Sequence, residues 1–162
     1  MKKIIIIGCP GSGKSTLSRS LHKITNIPLY HLDMLFWNED KTTVEKSVFL
    51  DRLLKVIQND EWIIDGNYSS TMELRMQACD TVVFLDYPLD VCLNGIKDRK
   101  GKPRSDMPWI ESDEDDADFI EFIKNYNSQS RPQVIELFKK YSHKDIYIFS
   151  NRIQAEEFLN KI

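Results

Sequence analysis

Four consecutive isoleucines, Ile4 to Ile7, run straight into Gly8-Cys9-Pro10-Gly11-Ser12-Gly13-Lys14-Ser15, and Thr16-Leu17-Ser18-Arg19-Ser20-Leu21 follows with helical patterning. The order is buried strand, glycine-rich turn, helix. It confines the chain to folds in which a strand hands over directly to a helix packed behind it. The turn fits G-x-x-x-x-G-K-[ST]. Glycine lacks a Cβ, so Gly8, Gly11 and Gly13 let the backbone curl until successive N–H groups point inward at an anion. The new helix adds its positive end. Gly8, Cys9, Pro10, Gly11, Ser12, Gly13, Lys14, Ser15 and Thr16 thus form the candidate cradle for the phosphates of ATP. Lys14 is suited to reach the β- and γ-phosphates, and the Ser15 hydroxyl to coordinate Mg²⁺.

The rest of the sequence reads as one domain built on this unit. Its 162 residues suffice for a single core. Hydrophobic residues at 41% and charged ones at 29% are ordinary for a globular chain. No apolar run approaches the roughly 18 residues needed to cross a bilayer. No secretory cleavage pattern follows the amino terminus, so a cytoplasmic location is expected. Cys9, Cys79 and Cys92 are odd in number and lack C-x-x-C spacing, which speaks against disulfides and zinc. A net charge of −3 gives no basic footprint for duplex DNA, so direct DNA binding is not expected.

Apolar runs suited to strands alternate with amphipathic segments. Strands are expected over Lys3–Ile7, Pro28–Leu32, Trp62–Asp65, Thr81–Asp86 and Asp145–Phe149. Helices are expected over Lys14–Ile24, Thr43–Gln58, Thr71–Ala78, Leu89–Arg99 and Gln154–Lys161. In the second helix Val44, Val48, Leu53, Leu54 and Ile57 suit one face. Ser70-x-x-Glu73 reads as a capping box, and Pro88 suits a first helical turn. The class is α/β: a three-layer α/β/α fold of the P-loop NTPase type, with a five-stranded parallel sheet and a helical lid inserted at roughly 97–131.

In such sheets the reacting groups gather beyond the carboxyl ends of the strands. Asp33, Asp65 and Asp86 each follow an apolar run. Phosphoryl transfer needs a group to orient or deprotonate the attacking hydroxyl, which suits Asp33, and a carboxylate to support Mg²⁺, which suits Asp65. Asp86, just before Tyr87-Pro88, reads as a cap. Positive charge over the migrating phosphoryl is the usual work of arginine. Arg99 and Arg104 flank the basic stretch 97–104, and Arg131 returns from the far side of the lid. Arg99 is a candidate nucleotide contact, and Arg104 and Arg131 are candidate charge stabilisers. The same basic loop also reads as a solvated surface.

Other features divide between function and structure. Glu111 to Asp118 holds six acids in eight residues and reads as a solvated helix start. His31, two before Asp33, can face the same side of a strand, so it reads either as part of the acceptor site or as a satisfied structural histidine. Leu35-Phe36-Trp37 serves equally as an aromatic wall for an acceptor or as core. Ser150-Asn151 could contact a base, though Asn151-x-x-Gln154 also reads as a helix start.

Gly8-x-Pro10-Gly11-x-Gly13-Lys14-Ser15 resembles the loop of nucleoside monophosphate kinases. Leu32-Asp33-x-Leu35-Phe36-Trp37, Asp65-Gly66-Asn67-Tyr68, Arg104-x-Asp106-Met107 and Ser130-Arg131-Pro132 resemble the adenylate kinase-related DNA topology modulation proteins (FlaR-like) over nearly the whole chain. The resemblance implies a small P-loop kinase using ATP and Mg²⁺, with an acceptor region after the second strand and an arginine-bearing lid. The arginine pattern by which adenylate kinases grip AMP is missing here. Asp33 is similar instead to the acceptor aspartate of small-metabolite kinases such as shikimate or gluconate kinases. Two readings follow: a kinase acting on a small nucleotide or hydroxyl-bearing metabolite, or a nucleotide-sensing regulatory module without productive transfer. Oligomeric state and base preference are not readable from the sequence.

Overall fold

The computed structural model describes all 162 residues. Strand β1 (Lys3–Gly8) lies at the centre of a five-stranded, wholly parallel sheet of order β2-β3-β1-β4-β5. Its neighbours are β3 (Trp62–Asp65) and β4 (Thr81–Leu85), while β2 (Leu29–His31) and β5 (Asp145–Phe149) form the edges. Ile4 to Ile7, Trp62 to Ile64 and Val82 to Leu85 are almost wholly shielded from solvent. Continuous apolar runs of this kind mark parallel strands covered on both faces. Because all strands point one way, Gly8, His31, Asp65, Leu85 and Phe149 end on one edge of the sheet.

Crossover helices connect them. Helix α1 (Lys14–Thr25) leaves the glycine-rich loop and closes on Asn26 in the left-handed conformation. A short α2 (Leu32–Phe36) follows β2 at once, so Asp33 lies in a first helical turn and not on a strand end. Helix α3 spans Lys46–Ile57, three residues shorter at its start than expected. Its packed face is Phe49, Leu53 and Val56, at i, i+4 and i+7, while Val48 and Leu54 face solvent. Helix α4 (Ser69–Ala78) starts before Ser70, so the anticipated capping box does not form, and Glu73 instead meets Lys140 and Tyr141. Pro88 stands at the N-cap of α5 (Leu89–Arg99), one position before the first turn.

Beyond α5 lies the lid segment, then α6 (Ala117–Lys124), α7 (Tyr126–Gln129) and α8 (Arg131–Lys140). Asp116 caps α6 by accepting from the Phe119 amide, so the acidic run does begin a helix. Helix α8, with Pro132 in its first turn, was not anticipated. Helix α9 (Arg152–Leu159) carries the expected start: Asn151 accepts from the Gln154 amide, and the Gln154 side chain accepts from Ser150 N. No helix is long and apolar enough to cross a membrane.

Candidate active site

Over the carboxyl edge of the sheet opens a cavity of about 1050 Å³, lined by the phosphate loop, α2, the 65–68 turn and the lid. The loop is held from behind by α5. Gly11 has φ +82°, and a Cβ there would sit 2.0 Å from the Cys92 carbonyl oxygen; a Cβ on Gly95 would sit 2.1 Å from Gly11 O. Only two glycines allow so close an approach of loop and helix. Lys14 Nζ donates to Gly8 O at 2.9 Å and to Cys9 O at 3.2 Å, curled over the loop. Burial depresses its pKa, opposed by the negative field of Asp65. A half-buried ammonium without a carboxylate in contact is a cation prepared for an anionic ligand.

Asp33, on α2, faces this lysine. Its oxygen Oδ1 accepts from the Tyr68 hydroxyl at 2.5 Å. Burial raises the Asp33 pKa above 3.8, against the Tyr68 hydrogen bond and the charge of Lys14, which favour the carboxylate. Tyr68 has φ +38°, a conformation that a bulky residue rarely keeps without support. The support is Arg75, fully buried on α4, whose guanidinium donates to the carbonyls of Gly66, Asn67 and Tyr68. Desolvation brings its pKa down to about 9. Asn67 in turn accepts from Gly8 N, tying this turn to the phosphate loop.

Asp65 is buried at the end of β3. Ser18 Oγ lies 2.7 Å from its Oδ2, and His31 Nδ1 lies 2.8 and 2.9 Å from its two oxygens. His31 thus acts as a structural partner. Ser15 turns elsewhere: its hydroxyl donates to Asp106 Oδ2, on the lid, at 2.6 Å. Asp106 is also gripped by Arg104 through Nε at 3.1 Å and Nη2 at 2.9 Å. Burial works to raise the Asp106 pKa, but Arg104 and Ser15 together hold it well below the usual carboxylate range. Arg104 Nη1 reaches Glu111 at 2.7 Å, and Arg99 meets the same carboxylate at 2.8 Å. Glu111, read as part of a solvated run, is therefore the counter-ion of both lid arginines.

Arg131 stands outside this cavity. It makes a bidentate pair with Asp86, 2.8 and 2.7 Å, beside a separate hollow with Tyr87, Asn127 and Ser150. Asp86 is thus an ion-pair partner and caps no helix, since the α5 N-cap carries no side-chain hydrogen bond. Thr16 and Arg99 line the main cavity, as do Pro10, Gly11 and Gly13.

The central glycine-rich loop, the parallel order around it and the facing lid decide the architecture. This is a P-loop NTPase fold. The chain is similar to shikimate kinase of Flavobacterium johnsoniae, 28% identical over 143 residues, with 78% of this chain and 80% of that one covered. Among solved structures, shikimate kinase from Bacteroides thetaiotaomicron superposes with a TM-score of 0.61 at 21% identity, covering 98% and 94% of the two chains. Shikimate kinase from Acinetobacter baumannii in complex with shikimate superposes at 0.66 and 15% identity, covering 99% and 90%. No protein-family profile matches the chain. These likenesses support the wider expectation of a P-loop kinase architecture.

Oxygen donors suited to a hard cation face the cavity in Ser15, Asp65 and Asp106. No three His, Cys, Asp or Glu side chains converge as a metal cage. That fits Mg²⁺, which is held by one or two protein oxygens together with phosphates and water.

Sequence reasoning missed Tyr68, Arg75 and Asp106 as working parts. In the sequence Tyr68 and Asp106 stand only within short motifs that have no chemical reading of their own. Arg75 carried no signal, since a lone arginine inside a helix looks like any surface residue.

Proposed function

We propose that the protein is a Mg-ATP-dependent kinase that transfers the γ-phosphoryl group to the hydroxyl of a small metabolite. The observation that carries the reading is the placement of the Asp33 carboxylate in the cavity that also holds Lys14, Ser15 and Arg104. A cradle alone would serve any nucleotide-binding protein; a half-buried carboxylate facing it serves a second substrate.

The loop amides and Lys14 hold the triphosphate, and Lys14 exchanges its two carbonyl partners for phosphate oxygens. Mg²⁺, when bound, would neutralise charge on the β- and γ-oxygens from the side of Ser15, with Asp65 behind it. Asp33 orients the acceptor hydroxyl and accepts its proton, assisted by a pKa already lifted by burial. Arg104 stands over the loop to stabilise charge on the transferred group. Arg131 lies outside the cavity, paired with Asp86, so Arg104, which lines it and is held by Asp106 and Glu111, is the arginine placed for that role. The relatives named shikimate kinase support the reaction class, and the motifs shared with topology modulation proteins do not conflict with it. The net charge of −3 gives direct DNA contact no physical support.

Asp33→Asn tests the assignment. The isosteric amide should abolish acceptor-dependent ADP formation and leave the calorimetric affinity for ATP within about twofold, because no phosphate contact is lost. Loss of ATP affinity in this variant would place Asp33 at the nucleotide and remove the acceptor role.

A further inference from the structure

The wall of the cavity beyond Asp33 is aromatic. From Tyr68, whose hydroxyl meets Asp33, the rings of Phe36, Trp37 and Trp109 follow in edge contact, with centroids 5.0, 5.6 and 5.4 Å apart. Trp37 and Trp109 both line the cavity, the first after α2 and the second on the lid, so the lid completes this wall. The indole Nε1 of Trp109 is buried and has no partner within the protein.

Three of the cations lining the cavity, Arg99, Lys100 and Arg104, are already committed to carboxylates. Arg99 and Arg104 share Glu111, and Arg104 also holds Asp106. Lys100 meets Asp115, and Arg19 reaches Ser105 and Thr16. Lys41 is exposed and stands over the Trp109 ring, 5.3 Å from its centroid. A carboxylate or phosphate on the acceptor would call for a fixed, unpaired arginine fork near Asp33. The arginine whose charge acts on Asp33 is Arg104, which already holds Asp106 and Glu111; Arg19 and Arg152 line the cavity without a carboxylate partner. Asp33 and Asp65 add negative charge on the same side.

Resting on the kinase reading above, we propose that the acceptor is an uncharged, hydroxyl-bearing ring that stacks on Trp37 and Trp109, the chemistry shared by nucleosides and cyclic polyols. It presents its hydroxyl to Asp33 and lays its ring against the two indoles. On this wall the shikimate carboxylate or the phosphate of a nucleoside monophosphate would meet only the exposed Lys41, a single mobile cation and no fixed fork.

The test is ADP release from Mg-ATP by the full chain with adenosine, cytidine, thymidine, glucose and myo-inositol, against AMP, CMP, shikimate and gluconate. Turnover with an uncharged ring, and much less with the anions, is the expected result; which of the two neutral groups responds separates base stacking from sugar stacking. Trp109→Ala and Trp37→Ala should each raise the acceptor KM about tenfold while moving kcat and the ATP KM little. Turnover confined to AMP, CMP, shikimate or gluconate overturns the proposal but leaves the kinase reading intact. No turnover with any compound, while ATP still binds, overturns the kinase reading itself.

A separate observation concerns Ser15. A hydroxyl has one proton and two lone pairs, and it turns its lone pairs toward a cation when another group takes the proton. Asp65 is the strand-end carboxylate available for this, but Ser18 and His31 occupy it. The proton goes instead to Asp106, 91 residues along the chain and on the lid. We infer that Asp106 is a positioning residue for the metal site, so that the closed lid prepares Ser15 to receive Mg²⁺.

Calorimetric binding of a non-hydrolysable ATP analogue, with Mg²⁺ and with chelator, tests this without turnover. Asp106→Ala should lower the Mg²⁺-dependent gain in affinity about tenfold and leave metal-free affinity undiminished, since Arg104 is then freed for phosphate. Asp106→Asn, which keeps an acceptor oxygen, should recover most of the gain. An alanine variant with the full Mg²⁺ gain, or one that loses metal-free affinity equally, overturns the inference.

Discussion

Asp33 and Tyr68 share one short hydrogen bond, and the pH response of the protein should follow it. Burial raises the Asp33 pKa, so the carboxylate needed to accept a proton is lost as pH falls through a value above 3.8. The Tyr68 hydroxyl donates to the charged form and opposes that rise. Tyr68→Phe removes the donor and leaves the burial. The acid limb of kcat/KM should therefore move to higher pH, with the high-pH plateau within about tenfold of the parent. A limb that stays in place or moves to lower pH would remove Asp33 as the titrating base. The sign for stability is separate. With its pKa raised in the folded state, the Asp33 contribution favours folding below the ordinary carboxylate pKa and is lost as pH rises through the raised one. How far residues spoke from the sequence alone depended on locality. Lys14 and Ser15 act within an eight-residue loop whose spacing states the chemistry. Asp106 and Arg75 act on groups brought to them by the fold, Ser15 lying 91 positions away in one case and the 66–68 turn 7 to 9 in the other.

At the scale of elements, the phosphate loop owes its shape to what packs behind it. Helix α5 approaches so closely that neither Gly11 nor Gly95 has room for a methyl group. Gly95→Ala should push the loop outward and cost at least tenfold in ATP affinity, about 1.4 kcal/mol, while far-UV dichroism stays that of the parent. Unchanged affinity would show that the loop holds its shape independently of α5. The 66–68 turn depends similarly on α4. Arg75→Met leaves three carbonyls without their donor, and the expected loss is about 2–4 kcal/mol in urea unfolding. A loss below about 0.5 kcal/mol would mean that water replaces the guanidinium. Strands were legible because buried parallel strands read as unbroken apolar runs, and all five appear within one or two residues of the expected bounds. Helices at the lid were less so. Tertiary contacts selected Phe49, Leu53 and Val56 as the packed face of α3 over the stripe through Val48 and Leu54, and α8 was hidden behind a proline that opens the helix where it seemed to end a loop.

For the whole molecule, a parallel sheet gathers the ends of its strands on one edge, and the segment after α5 lines the cavity above them. That arrangement puts Lys14, Asp33, Arg104 and Asp106 around one cavity although they are far apart in sequence. It leaves Arg131 outside that cavity, paired with Asp86 beside a separate hollow. The fold class was legible because one loop, its flanking strand and helix, and the alternation after them all imply the same topology. The acceptor was less legible, because an aromatic wall and committed arginines are properties of packed side chains. The central claim is that this cavity moves a phosphoryl group. Phosphorus NMR of Mg-ATP with the neutral and the anionic acceptors, for the parent and for Lys14→Ala, tests it most directly. The account predicts a new phosphomonoester resonance growing with ADP in the parent, and a rate lower by about 10² to 10³ in Lys14→Ala. ATP that stays intact with every acceptor despite measured binding, or a Lys14→Ala rate equal to the parent, would contradict it.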